Sequence, residues 1–273
     1  MKSMSSNNTP VFIVGWPRSG STLLAKMLAA HPALCCGPET HFFSKIKSGA
    51  LEESLASREW IDATAGLISR LELTGQSVLG LYGYTNESFR AELAKNERTV
   101  HGVLSALYGN LLRRQSAERV VEKTPNHILC CDRIRQHFPD SPIIRIVRDP
   151  RDSSYSMGKL SWLPKDPVYC SLLWERWYRQ SKPFFAEDTK TITIRYEDLV
   201  ENPESVLKQV TSFIGEEYSN LMIDYHVSYD TVATPEETWK CDVSSRIDMS
   251  SAYRWKREYA QDADMEKVTR ILS

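Results

Sequence analysis

No run of residues in this chain is long and apolar enough to cross a membrane, and residues 1–10 are polar, without the apolar stretch of a secretory leader. These absences predict a soluble, cytoplasmic protein with no membrane partner. Charge of one sign is also missing. Lys and Arg number 34 against 35 Asp and Glu, a net charge of −1, so no global field draws nucleic acid or an anionic surface. The six cysteines include two adjacent pairs, Cys35-Cys36 and Cys130-Cys131, but no CxxC and no Cys/His metal spacing. Buried thiols in a reducing compartment are the plain reading, and no metal is expected. Low-complexity tracts and internal repeats are absent too.

With 273 residues and 41% hydrophobic content, the chain can bury one sizeable core. The expectation is a disordered tail over residues 1–9 and one domain over 10–273. Strand signals at about 11–15, 33–36, 119–122, 142–147 and 191–195 alternate with helical stretches, which predicts an α/β fold with a single parallel sheet flanked by helices. The longest departure, about 41–118, reads as a helical insertion. Trp60, Ala63, Leu67, Ile68 and Leu71, then Val103, Leu104, Leu107, Leu111 and Leu112, recur at helical spacing as core-facing stripes. The turns within it, such as 75–83, are candidates for a lid. Helices at about 167–187 and 203–213 complete the cover, the second starting at Asn202-Pro203, and the tail beyond Gly215 reads as irregular.

Chemistry enters at residues 11–22, where an apolar strand runs into Gly15-Trp16-Pro17-Arg18-Ser19-Gly20-Ser21-Thr22. A Gly- and Ser-rich turn opening a helix presents unpaired N–H groups and the positive end of the helix dipole, an anion cradle. The spacing Gly15-x4-Gly20-Ser21-Thr22 is close to the phosphate-binding loop of nucleotide-hydrolysing enzymes. That loop needs Lys after its second Gly; here Ser21 stands there and the cation, Arg18, lies inside the loop. The cradle therefore suits an anion but suggests transfer of a different group.

A second strand pattern, Pro142 to Val147, ends in Arg148-Asp149-Pro150, with Ser156 eight residues beyond Arg148. Strand, Arg and a following helical Ser resemble the 3′-phosphate element of sulfotransferases that use 3′-phosphoadenosine-5′-phosphosulfate (PAPS). Pro17-Arg18-Ser19-Gly20-Ser21-Thr22 resembles their 5′-phosphosulfate loop. Lys123-Thr124-Pro125 and Arg195-Tyr196-Glu197-Asp198 fit in order, and His31-Pro32 followed by Gly37-Pro38-Glu39-Thr40 resembles the tyrosylprotein and bacterial branches. The likeness covers most of 10–215. It implies the P-loop-like sulfotransferase fold and sulfuryl transfer from PAPS to a hydroxyl, less readily an amine, with near-neutral charge favouring a small-molecule acceptor over the alternatives of a peptide tyrosine or a sugar. It also implies Glu39 as general base, with Lys123 and Arg18 as catalytic cations. The donor would be held by Pro17, Arg18, Ser19, Gly20, Ser21, Thr22, Arg148 and Ser156, with Tyr196 near the adenine and Ser245, Arg254 or Lys256 closing over it.

Topology supports convergence. A helix over about 22–30 carries the chain roughly 13 Å away, and a strand over 33–36 returns Glu39 to the edge that holds the loop. Lys123 and Arg148 each follow a strand, so a parallel sheet brings all four to one rim, where open α/β sheets bind ligands. Each residue has a plainer alternative. Arg18 is a surface arginine, Glu39 half of an ion pair, Lys123 an ordinary strand-end lysine, and Arg148 a partner of Asp149 or Asp152. His41, His101 and His127 are rival bases. The rival functions are a P-loop kinase or nucleotide hydrolase with Asp149 on magnesium, and a nucleotide-binding protein without turnover.

Overall fold

A computed structural model describes residues 9–158, 160, 165–227, 232 and 249–272. The expected tail lies, but for Thr9, outside them. Seven strands form in chain order: β1 (Val11–Gly15), β2 (Leu34–Cys36), β3 (Glu72–Leu73), β4 (Gln76–Ser77), β5 (Arg119–Lys123), β6 (Ile143–Val147) and β7 (Thr191–Arg195). Five of them make one parallel sheet in the order β2-β5-β1-β6-β7, and β3 and β4 pair as a separate hairpin. The parallel sheet uses the five strand signals of the sequence.

β1 is buried at all five positions, as a central parallel strand covered on both faces must be. Its side chains alternate. Phe12 and Val14 join the core formed with the helices of residues 42–115, whereas Val11 and Ile13 join the core on the other face. That second core includes Leu24 and Leu28 of α1 (Ser21–Ala29) and Leu207 and Val210 of a later helix.

Between β2 and β5 run α2 (Phe42–Lys45), α3 (Ala50–Ala56), α4 (Trp60–Ile68), α5 (Val78–Leu81), α6 (Asn86–Leu93) and α7 (Val100–Gln115), all with residues in the first core. The segment expected to supply a lid is instead anchored, because Val78, Leu79 and Tyr82 are buried there. Beyond β5 come α8 (Cys131–His137), α9 (Pro150–Met157), α10 (Pro167–Glu187), α11 (Tyr196–Glu201) and α12 (Pro203–Ile214). Asp166 caps α10 by accepting the amides of Val168 and Tyr169, and prolines at the first helical positions of α9, α10 and α12 fit the missing N–H there.

Among the described residues beyond Gly215 are a π-helical turn over Trp255–Tyr259 and α13 (Met265–Ile271). α1, leaving β1, packs on one face, while α10, following β6, packs Trp177, Phe184 and Phe185 on the other. Neighbouring strands whose connections leave to opposite faces open a crevice at their C-terminal ends. β1 and β6 are that pair, and the loops after them carry Arg18 and Arg148.

Candidate active site

Two groups of side chains stand at the C-terminal edge of the sheet. The first is built on the turn between β1 and α1. Arg18 has φ of 69° and Gly20 φ of 93°, both in the left-handed region that favours glycine. A Cβ on Gly20 would sit 2.3 Å from Cδ2 of Tyr196, so the ring of Tyr196 rests on the loop only because residue 20 has no side chain. Gly20 caps α1 with no side-chain hydrogen bond, so the amides of Ser21 and Thr22 in the first turn have no capping acceptor.

Arg18 and Arg148 are interlocked. Arg18 Nε donates to Ser156 Oγ at 3.1 Å, and Arg148 Nη1 donates to the carbonyl of Arg18 at 3.1 Å. The Arg148 guanidinium lies 4.7 Å from the centre of the Tyr196 ring, and Nη2 donates to the carbonyl of Ser251 at 2.5 Å. Its Nε is buried with no hydrogen-bond partner among the described residues, as is Ser19 Oγ. A cationic donor and a hydroxyl left buried and unsatisfied beside an open helix N-terminus fit an anionic ligand with more than one phosphate-like group.

The plainer pairings of Arg148 do not occur. Asp149 holds Arg151 through both oxygens at 2.9 and 2.7 Å and accepts from Trp255 Nε1 at 3.0 Å; Asp152 accepts the amides of Arg254 and Trp255. Burial pushes the Asp149 carboxyl up, but these donors outweigh it and hold it below its ordinary value. Glu197 belongs to the Arg195-Tyr196-Glu197-Asp198 segment, but the sequence alone assigns it no role. It is buried and accepts the amide of Asp149 at 2.8 Å, which fixes the turn that presents Arg148.

The second group joins the ends of β2 and β5. Lys123, its side chain wholly buried, donates Nζ to Glu39 Oε1 at 2.8 Å. His41 Nε2 lies 3.6 Å from Glu39 Oε2. Burial drives the His41 imidazole down from 6.5 to about 4, against the opposing pull of Glu39, so it is neutral near pH 7. Tyr82 donates its hydroxyl to the carbonyl of Pro38 at 2.8 Å. It approaches so closely that a Cβ on Gly37 would lie 2.6 Å from that oxygen.

Below this pair lies a network the sequence does not announce. Glu122, one residue before Lys123, accepts from Thr40 Oγ1 at 2.8 Å, Thr124 Oγ1 at 2.7 Å and His127 Nδ1 at 3.0 Å. His127 Nε2 accepts the amide of Phe43 at 3.1 Å, so the ring proton sits on Nδ1. His127 is thus a fully buried structural residue rather than a base, and His101 packs its ring against Phe138. Burial raises the Glu122 carboxyl, but His127, Thr124 and Thr40 outweigh that effect and hold it lower.

Other expected residues fall outside the two groups. Lys256 lies over the rings of Tyr253 and Trp255, and Arg254 reaches Ser251 and Glu258. Arg145 turns to Thr193 and the Phe185 ring. Ser245 lies outside the described residues. Pro17 and Thr22 are in the loop and first turn as expected. Among the described residues no cluster of His, Cys, Asp or Glu is arranged to hold a metal ion, and no helix is long and apolar enough to cross a membrane.

Comparison with known proteins identifies the family. The chain is 21% identical over 273 residues to protein-tyrosine sulfotransferase A of Caenorhabditis elegans, covering 96% of this chain and 65% of that protein. It is 24% identical over 222 residues to protein-tyrosine sulfotransferase 2 of Gallus gallus, covering 79% of this chain and 53% of that one. The chain therefore spans about half to two thirds of these relatives. In fold it is similar to the sulfotransferase domain from the curacin biosynthetic pathway, with a TM-score of 0.66 at 22% identity over 97% of this chain and 96% of that one. The sulfotransferase family model matches residues 10–220. The chain belongs to the sulfotransferase family.

Proposed function

We propose that the protein transfers a sulfuryl group from PAPS to a hydroxyl, with Glu39 as general base. The observation that carries this reading is the Lys123–Glu39 contact at 2.8 Å, placed on the same sheet edge as the Arg18–Ser156–Arg148 cluster. A base paired with a cation, beside an anion cradle, is the minimum set for moving a charged group onto a hydroxyl.

PAPS supplies the sulfuryl group and a leaving phosphate. Arg148, through the donor left over at Nε, and Ser156 would bind its 3′-phosphate. The amides of the α1 first turn, with Ser19, Ser21 and Thr22, would hold the 5′ end, and Tyr196 lies where it can border the adenine. Glu39 accepts the acceptor's proton. Its Oε1 is held by Lys123, which fixes the carboxylate plane, and its Oε2 faces His41. As the acceptor oxygen bonds to sulfur, the bond from sulfur to the 5′-phosphate oxygen breaks, and Lys123 and Arg18 would oppose the negative charge that grows on that departing oxygen. The work of the site is orientation and electrostatic stabilisation. Asp149, which a kinase would turn to magnesium, is instead directed at Arg151 and Trp255.

For the acceptor we favour a small molecule, because the net charge of −1 offers no field for a polyanionic glycan. The names of the curated relatives favour a second reading, a peptide tyrosine. The thiols of Cys35, Cys130, Cys131 and Cys170, which form no disulfide among the described residues, support a reducing, cytoplasmic setting. Labelled PAPS incubated with phenols, aliphatic alcohols, a sugar and a tyrosine peptide, with and without chelator, tests all of this. Label should pass to a phenol or alcohol regardless of chelator; transfer to the peptide alone selects the second reading. Chelator-sensitive ATP turnover without sulfuryl transfer would overturn the proposal.

A further inference from the structure

We infer that Glu122 is the positioning residue of this site: its buried carboxylate clamps the segment that follows Glu39 onto the strand end that carries Lys123, and so sets the contact between the two. The inference rests on the sulfuryl-transfer reading of Glu39 and Lys123. Its basis is a complete chain of donors and acceptors.

Three backbone amides just beyond Glu39 end, through side chains, on this one carboxylate. The amide of Thr40 donates to Thr124 Oγ1 at 3.1 Å, and Thr124 Oγ1 donates in turn to Glu122 Oε1. The amide of Phe42 donates to Thr40 Oγ1 at 3.1 Å, and that hydroxyl also donates to Oε1. The amide of Phe43 donates to His127 Nε2, whose Nδ1 proton goes to Oε2. Each hydroxyl and the imidazole therefore accept one proton and pass one on. Only acceptors are left for residue 122, so an ionised carboxylate suits the position and nothing else in the amino-acid repertoire of that size does.

An amide would fail in a definite way. Its oxygen must stay between the two hydroxyls, which turns its NH₂ toward the protonated Nδ1 of His127. Moving that proton to Nε2 sets it against the Phe43 amide, so one buried donor is unsatisfied in either arrangement. Alternation along β5 also matters. Glu122 and Lys123 are consecutive and point to opposite faces, so the carboxylate fixes the backbone from one side while the ammonium meets Glu39 from the other. Because Glu122 is buried with only 2% of its surface exposed, it touches no acceptor and acts through its neighbours.

The test compares Thr124→Val, Thr124→Ser and Glu122→Gln with the parent protein. The readouts are labelled PAPS transfer, calorimetry of 3′,5′-adenosine bisphosphate (PAP), thermal melting, and crystal structures of the variants. Thr124→Val keeps the shape and removes the relay. It should lower kcat about 10- to 100-fold with KM for PAPS and PAP affinity within twofold of the parent, and its structure should show Lys123 Nζ beyond hydrogen-bonding distance of Glu39. Glu122→Gln should do the same, and Thr124→Ser, which restores the hydroxyl, should regain kcat. A folded Thr124→Val with kcat near the parent's, or with the Lys123–Glu39 contact intact, overturns the clamp. So does a loss of kcat that Thr124→Ser shares or that PAP affinity follows in proportion. A parent protein that binds PAP but transfers nothing would instead overturn the reading of Glu39 and Lys123, and the crystallographic arm still decides the clamp.

Discussion

Arg18 and Ser156, 138 positions apart in the chain, meet at 3.1 Å, and the carbonyl of the same arginine accepts from Arg148 at 3.1 Å. Two loops from adjacent parallel strands are thereby tied into one surface. Arg18 adopts a left-handed conformation, φ 69°, which costs a residue with a Cβ about 1–2 kcal/mol. The hydrogen bonds at both ends of the residue offset that cost.

Arg148→Ala should weaken PAP far more than adenosine 5′-phosphate. A guanidinium bond to a phosphate contributes about 1.5–3 kcal/mol, roughly ten- to a hundredfold in affinity, and is lost only when that phosphate is present. Calorimetry of the two ligands measures the difference; equal losses would remove Arg148 from the 3′-phosphate site.

Gly20→Ala should disrupt donor binding and stability together. The new methyl meets the Tyr196 ring at 2.3 Å on a backbone with φ of 93°, so either the ring or the loop must move. A stability loss of at least ~1 kcal/mol with a large fall in PAP affinity is expected in denaturation and calorimetry. Wild-type affinity would mean that Tyr196 does not border the donor.

His41 gives the protein a pH dependence of definite sign. Its folded value of about 4 lies below the ordinary 6.5, so between those values the unfolded chain binds the extra proton. Stability is full above about 6.5 and falls as the pH drops toward 4, by on the order of 3 kcal/mol at most. His41→Gln should flatten this part of the curve. Denaturant titrations from pH 4 to 7 that show identical slopes for both proteins would contradict the burial of a neutral imidazole.

The strands were legible because β1 and β6 are short apolar runs closed by Gly or Arg, as strands buried on both faces carry, while the edge strand β7 alternates Thr and Ile. The cradle was legible because Gly20 and its hydroxyl neighbours are contiguous. The Glu122 clamp was not. It joins the 40–43 segment to the 122–127 segment through contacts 82 and 84 positions apart, and Thr, Glu and His at those distances leave no local pattern. Nor does periodicity mark strands of two residues such as β3 and β4, or a seven-residue helix such as α13. Arg145 and Arg151 lie within three residues of Arg148 in sequence, yet alternation along β6 turns one to Thr193, and the N-cap of α9 holds the other.

The central claim, that Glu39 takes the acceptor's proton, is tested most directly by the single-turnover rate of sulfuryl transfer in Glu39→Gln. The amide keeps the length and the contact with Lys123 through its oxygen but cannot take a proton, so the rate should fall about 10²- to 10⁴-fold while PAP affinity stays near that of the parent. The loss should shrink for the more acidic phenols, which release their proton with less help. Near-normal turnover in Glu39→Gln, with turnover abolished in His41→Ala, would contradict the account and make the histidine the base.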